Sequence, residues 1–380
     1  MRILVINVGS TSLKYAIIEP ESQIRFEHGI FDRIGQPNGD ASDPIDAVKK
    51  LFGRLANSTI DAIGYRVVHG GEIFQQPTLV NGPNLDLLAK LDQLAPLHNP
   101  PARRVIEYLW QNRSHTPQYM IFDTSFFAAL PPVAYHYAIP NAWMEQHHVR
   151  RYGAHGTSHE YLLERTSSYI ADRDIDPMQL RLITLHLGGG ASAAAIRGKQ
   201  PIDTSMGLTP MEGLVMGTRC GDIDPGIVLY MLRNTPLTTD DVDRILNKES
   251  GLLGLCGDSD IRCVLERVHR QDPSATLAIN IYVRRIQKTI GSYFALLGGL
   301  DVLVFSAGVG ENSPEIRSRV IESLGCFGCK IDAVSNQSPT FDNGIADITS
   351  LSPDINSPRI LVIKTDEELA IARKIAALNQ

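Results

Sequence analysis

Residues 6–18 read INVGSTSLKYAII, and residues 185–196 read LHLGGGASAAAI. Each places β-branched or small apolar residues on both sides of a small-residue turn, at Gly9 and at Gly188, and so reads as a strand, a tight turn and a second strand. The two starts lie 179 residues apart, close to half of the 380-residue chain. Glycine-turned hairpins are common, so the echo alone leaves coincidence and gene duplication both open. Duplication would mean two α/β domains, each aiming a small-residue hairpin into a shared cleft. Glycine suits that place because backbone N–H groups reach phosphate oxygens only where no Cβ intervenes, and successive amides form an anion-binding concavity.

Outward from these hairpins, short apolar runs alternate with helical patterns. ILVIN (3–7), YAIIE (15–19), YRVVH (65–69), YMIFD (119–123), RLITLHL (181–187), SAAAI (192–196), VLVFS (302–306) and RILVI (359–363) read as strands. Within 277–297, Ile279, Tyr282, Val283, Ile286, Ile290, Tyr293, Phe294 and Leu297 recur at spacings of three and four, and Gly298-Gly299 then stops the helix. Ser313-Pro314 starts another helix, running through Glu322. This alternation predicts an α/β protein with mixed sheets.

With 43% hydrophobic residues the chain can bury substantial cores, which excludes disordered, collagen-like and miniature disulfide classes. Charge is nearly balanced, 36 basic against 42 acidic residues, with no basic stripe, so no nucleic-acid partner is expected. No apolar run approaches the roughly 20 residues of a membrane helix. The N-terminus passes from Met1-Arg2 straight into ILVINVG with no signal-peptide pattern, so a soluble cytoplasmic protein without a membrane partner is expected. Five scattered cysteines imply reduced thiols, and Cys326-x-x-Cys329, without a second pair, reads as incidental.

A third glycine-rich turn, Ala307 to Asn312, follows VLVFS. It approaches a dinucleotide fingerprint, but position 313 is serine where the third glycine would stand. No G-x-x-x-x-G-K-[ST] occurs anywhere in the chain, which excludes a Walker-type loop. Three glycine turns without either motif point to a different nucleotide cradle.

The segments NVGSTSLKYAI, YRVVHGGE, LAPLHNPP, FDTSF, RRYGAHGTSHEY, HLGGGAS, DTSMGLTPMEGLVMGTRCGDIDP, FSAGVGENS and TDEELAIAR span nearly the whole chain. In this order they resemble the acetate kinases. The resemblance implies the fold of the acetate and sugar kinase, Hsp70 and actin superfamily: duplicated RNase H-like domains with mixed sheets around a nucleotide cleft. It implies reversible transfer of the γ-phosphoryl group of ATP to acetate, with Mg2+ or Mn2+, normally by a homodimer. It places the first lobe at 1–127, the second at 128–369, and a last helix from 370 returning to the first.

It also implies roles. Arg66 and Arg219 match the two active-site arginines, whose planar forks suit a carboxylate and a phosphoryl oxygen. His155 matches the histidine that stabilises the transition state, His98 and Asp123 match further catalytic positions, and Asn7 and Glu367 match metal-associated ones. Asn7, Ser10, Ser12 and Lys14 fall on the first phosphate turn, and His186 with Gly188, Gly189 and Gly190 on the second. Asp260, Ile261 and Arg262, with Gly308, Val309, Gly310, Glu311 and Asn312, fall on the adenosine side. From the residues alone, His69 also reads as a buried, hydrogen-bonded histidine. Gly153 and Gly156 argue against a regular helix joining His155 to His159, and so against zinc there.

The departures from the family pattern are informative. Gly189 stands where the family has asparagine, and Tyr65 and Phe127 where histidines are common. Ala154 stands where phenylalanine closes the acetate methyl pocket, which Val68, Leu97 and Pro210 otherwise line. A smaller side chain there is expected to admit propionate, so a propionate kinase is the alternative to an acetate kinase, with a non-enzymatic actin-like ATP-binding protein behind both.

Overall fold

The computed structural model describes residues 1–9, 11–96, 98–171, 175–350 and 357–378. The chain divides into two compact units: Met1–Ala128 with Ala154–Tyr161 and Asp366–Gln380, and Ala129–Gly153 with Leu162–Thr365.

The first unit holds strands β1 (Ile3–Val8), β2 (Leu13–Glu19), β3 (Ile24–Phe31), β4 (Ala62–Val67), β5 (Thr78–Leu79) and β6 (Gln118–Phe122), in the order β3-β2-β1-β4-β6-β5. The second holds β7 (Arg181–Leu187), β8 (Ala191–Arg197), β9 (Gln200–Thr204), β10 (Val302–Ser306), β11 (Ile345–Asp347) and β12 (Arg359–Ile363), in the order β9-β8-β7-β10-β12-β11. The two orders match position by position. In each sheet an antiparallel meander leads into parallel strands and ends on an antiparallel edge. Both quoted hairpins are the inner pair of that meander, so duplication, which the sequence left open, is what the topology displays.

In the first sheet the strand alternation sorts side chains by chemistry. Ile63, Tyr65, Val67, Met120 and Phe122 belong to the apolar core on one face, under helices Pro44–Arg54 and Asn99–Asn112. The opposite face meets helix Glu367–Ala377, which packs on β1, β2 and β4 so closely that a Cβ on Gly64 would lie 2.4 Å from Ile375 Cδ1. Asn7 pairs with Arg66 in the β1–β4 register and Asp123 directly follows β6, so this face ends in polar residues at the carboxyl ends of three parallel strands.

Helix Pro273–Leu297 confirms the long period seen in the sequence. Asp272 caps it by accepting from the Ser274 and Ala275 amides, and Gly298 ends it at φ 67°, a conformation that favours glycine. Ser313 likewise caps helix Pro314–Ile321.

One reading needs correction. Helix Gly156–Ile170 does begin inside the 155–159 segment, with His155 at φ 56° just before it. Residues 154–161 belong to the first unit: the Gly156 amide donates to the Asp123 carbonyl at 2.9 Å, and a Cβ there would lie 2.0 Å from that oxygen. The last segment of the first unit begins at Asp366, which caps the last helix by accepting from the Leu369 amide.

Candidate active site

In the first unit, strand ends and a helix start converge on Asp123. It is fully buried, and both its carboxylate oxygens are engaged: Oδ1 accepts from Arg66 Nε at 3.2 Å and Thr157 Oγ1 at 2.9 Å, and Oδ2 from Arg66 Nη2 at 2.5 Å. Arg66 also donates from Nη1 to Asn7 Oδ1 at 3.2 Å, and Glu367 lies 3.6 Å from its Nε. Burial raises the Asp123 pKa and the charge of Glu367 adds to that rise, against the lowering pull of Arg66. Asn7, Arg66, Asp123 and Glu367 therefore form one cluster. Thr157, in GTSHEY, was not singled out in the sequence; its place one residue past the Gly156 contact with Asp123 is what recruits it.

His155 precedes that helix in a left-handed conformation rare for a non-glycine residue, a local strain of the kind found at functional sites. His98 stands at the N-cap of helix Asn99–Asn112. Lys14 is exposed on β2 opposite Asn7, and Ser12 directly precedes that strand. Ser10 and Leu97 lie outside the described residues. Val68 is half-buried, whereas Ala154 is 2% exposed. His69 is a structural histidine: it is 1% exposed, exchanges two hydrogen bonds with Asn99 through its backbone, and accepts the Gly71 amide on Nδ1. Of the family departures, Tyr65 is a core residue donating to Gln118 Oε1 at 2.6 Å, and Phe127 packs edge-on against His159.

In the second unit the turn after β7 is built of glycine. A cavity of about 550 Å³ is lined by Gly188, Gly189, Gly217, Ser259, Asp260, Ile261, Arg262, Tyr282, Gly308, Val309 and Asn312, among others. His186, on β7, pairs with Ser192 as Asn7 pairs with Lys14. A Cβ on Gly189 would meet nothing within 4 Å, so the missing asparagine is an open position and not a packing requirement. Asp260 caps helix Ile261–His269 and grips Arg262, whose hydrogen bonds pull its pKa down. The segment Ala307–Asn312, read as a turn, is a short helix with Ala307 at φ 63°. Glu311 faces inward: its Oε1 accepts the Ala307 and Thr365 amides, both at 2.9 Å, and it is not among the residues that line the cavity.

Arg219 differs from Arg66. Burial lowers its pKa to about 10, still well above neutrality, and among the described residues no carboxylate pairs with it. Its Nη1 donates to the Pro210 carbonyl at 2.6 Å. A partly buried guanidinium that no carboxylate pairs with is suited to an anion.

Among the described residues no group of three or more His, Cys, Asp or Glu could hold a metal by itself. Cys326 and Cys329 are free thiols, and burial pushes Cys329 up to about 12. Asn7, Asp123 and Glu367 nevertheless supply the hard oxygen donors that suit magnesium, which takes one or two carboxylates together with substrate phosphates.

A model of the acetokinase family matches residues 44–373. The chain belongs to the acetokinase family. Solved structures agree over its length. A propionate kinase from Francisella tularensis is 38% identical over 98% of each chain, with a TM-score of 0.90. Porphyromonas gingivalis acetate kinase is 33% identical over 100% of each, also at 0.90. An acetate kinase from Entamoeba histolytica is 32% identical over 99% of each, at 0.87. The fold is thus the duplicated actin-like ATPase fold of acetokinases, and the chain is a kinase phosphotransferase. No described helix is long and apolar enough to cross a membrane.

The two arginines should respond oppositely to removal. Arg219→Met is expected to melt at or above the wild-type temperature, because a partly buried cation with no paired carboxylate is lost, while phosphoryl transfer falls by about 100-fold or more. Arg66→Met strands Asp123 beside Glu367 and should cost about 3–5 kcal/mol. With Asp123 raised further, the folded variant binds protons more readily than its unfolded chain, so its stability should fall as pH rises from about 4, the ordinary carboxylate value, through the raised folded value. Thermal melts of both variants across pH, beside their transfer rates, check this; a lowered melt for Arg219→Met or a pH-independent one for Arg66→Met would be the wrong result.

Proposed function

We propose that the chain catalyses reversible, direct in-line transfer of the γ-phosphoryl group of ATP to acetate, giving acetyl phosphate and ADP, and that it also accepts propionate. The observation that carries this reading is Arg219: in a kinase of this family, a partly buried cation held by the Pro210 carbonyl, with no carboxylate of its own among the described residues, is suited to an acid substrate or the phosphoryl group it attacks. Attack by a carboxylate oxygen on a phosphoryl group brings anion onto anion, so catalysis consists of positioning and charge neutralisation around a loose transition state. Arg66 and Arg219 supply the guanidinium charge, and His155 donates a hydrogen bond to the transferring group. Asp123 fixes Arg66 by a bidentate contact. Asn7 and Glu367, beside Asp123, would hold magnesium, or manganese, which neutralises phosphate charge when bound. The glycine-lined cavity takes the nucleotide, with amides at Gly188 and Gly189 in place of the absent asparagine.

Acetate against propionate turns on Ala154. It is buried, and smaller than the phenylalanine of the family pattern, so a longer acyl chain gains room. One methylene in an apolar pocket is worth about 1–3 kcal/mol, which shifts preference without excluding either acid. The propionate kinase among the similar structures gives this second reading its weight.

A homodimer is part of the proposal. Helix Pro225–Asn234 exposes Ile227, Leu229 and Tyr230, the last at 65%, and Val133 and Trp143 of the same unit are also exposed. Dependence on ATP fits a cytoplasmic enzyme.

Acyl phosphate trapped as hydroxamate, from ATP, magnesium and acetate, propionate or butyrate, is the test. Product from acetate and propionate is expected, with Ala154→Phe shifting the kcat/KM ratio toward acetate by about 10-fold or more. Nucleotide binding without any acyl phosphate would sink the reading in favour of a non-enzymatic ATP-binding protein, and an unmoved ratio would remove Ala154 from the pocket. In solution the particle should have about twice the chain mass of 41.8 kDa, by sedimentation or light scattering, and a monomer at working concentration would refute the dimer.

A further inference from the structure

Arg219 is aimed by the carbonyl of Pro210, and Pro210 lies in the loop 205–213 that follows β9 in the second unit. A knot of three side chains ties that loop down. The Arg151 guanidinium donates to the carbonyls of Ala134 at 3.2 Å, Thr204 at 2.9 Å, and Ser205 and Met206 at 3.3 Å. Its Nη2 also donates to Glu212 Oε1 at 2.6 Å. The other oxygen of Glu212 accepts from the Tyr137 hydroxyl, which accepts in turn from the Leu208 amide at 3.0 Å.

Gly207 threads this knot. A Cβ there would lie 1.7 Å from Glu212 Oε2 and 2.2 Å from the Tyr137 hydroxyl oxygen, so only glycine lets the two side chains meet. Its carbonyl accepts the amides of Tyr152 at 3.0 Å and Gly153 at 3.2 Å. Ala154 and His155 are the next two residues in the sequence.

We propose that Arg151, Glu212 and Tyr137 are positioning residues for phosphoryl transfer, fixing both the carbonyl that aims Arg219 and the backbone that leads into His155. The inference rests on the roles given above to Arg219 and His155. Arg151 suits the task because its fork serves four carbonyls and a carboxylate at once, which a lysine point charge does not. Since no carboxylate among the described residues holds Arg219, the direction of its charge follows the Pro210 carbonyl, and a displacement of about 1 Å in such a group costs on the order of 100-fold in rate. None of the three residues lines the glycine-rich cavity, so the knot should separate turnover from nucleotide affinity.

The test uses the full chain with Glu212→Gln, which keeps the shape and removes the charge, and Tyr137→Phe, which removes one hydroxyl. Backbone hydrogen exchange, ATP affinity by calorimetry and acyl phosphate kinetics are measured together. In Glu212→Gln, exchange at the Tyr152 and Gly153 amides should quicken and kcat fall, each by about 10-fold or more, while ATP affinity holds within about twofold. Tyr137→Phe should show the same pattern in smaller measure. Added to Arg219→Lys, Glu212→Gln should cost less than it does alone, because part of its effect passes through Arg219 and only the part that passes through His155 remains.

An unchanged kcat, a loss of ATP affinity parallel to the loss of kcat, or full additivity with Arg219→Lys would overturn the proposal. Unchanged exchange at Tyr152 and Gly153 would do so even if the wild type turned over no carboxylate, whereas a wild type inactive on every carboxylate would overturn the functional reading by itself.

Discussion

A fully buried carboxylate is tolerable only with its charge answered at close range, and in this chain Arg66 answers Asp123. Their pairing decides much of the first unit. It requires β4 and β6 to end level with one another, the helix after His155 to start against the Asp123 carbonyl with no Cβ at Gly156, and the final helix to bring Glu367 within reach of the same guanidinium. Period-two alternation then does the sorting, because residues facing the core on these strands are apolar and those facing the last helix end in Asn7, Arg66 and Asp123.

The second unit repeats the topology and inverts the chemistry. Where the strand ends of the first sheet gather Asn7, Arg66 and Asp123, the turn after β7 in the second is glycine, and Gly188 and Gly189 line a cavity with room for a ligand. Its arginine is likewise inverted. Arg66 has two acids, whereas Arg219 has a carbonyl, and a cation left in that state is costly unless an anion comes to it. Duplication supplied one scaffold, and divergence at the strand ends made one edge suited to holding charge and the other to accepting a nucleotide.

Much of this was legible because the signals were local. VLVFS and RILVI are nearly continuous apolar runs on interior strands, and the long helix carried its period and its Gly298 stop in the sequence itself, although its start at Asp272-Pro273 went unread. β3 escaped notice because IRFEHGIF is mostly exposed and lacks a clean alternation, and β5, of two residues, is too short to carry a period. The helix starting at Gly156 was missed because glycine disfavours helices in general, whereas here close approach to Asp123 demands it. Arg66 and Asp123 were named from the family resemblance, but their direct pairing is a product of strand register. Glu311 looked like a ligand in GVGEN, and only the fold turns it inward onto the Ala307 and Thr365 amides. Tyr137, Arg151 and Glu212 lie up to 75 residues apart and carry no short-range signal.

The central claim is that the Arg66–Asp123 pair is a single buried unit on which both the architecture and the chemistry of the first unit depend. A thermodynamic double-mutant cycle tests it directly, with Arg66→Met, Asp123→Asn and the double variant unfolded at equilibrium in denaturant. The account expects a coupling of about 3 kcal/mol or more, beyond the 1 kcal/mol ceiling of exposed pairs, with the double variant recovering much of the stability and none of the activity. Additive losses, or a double variant that still makes acyl phosphate, would contradict it.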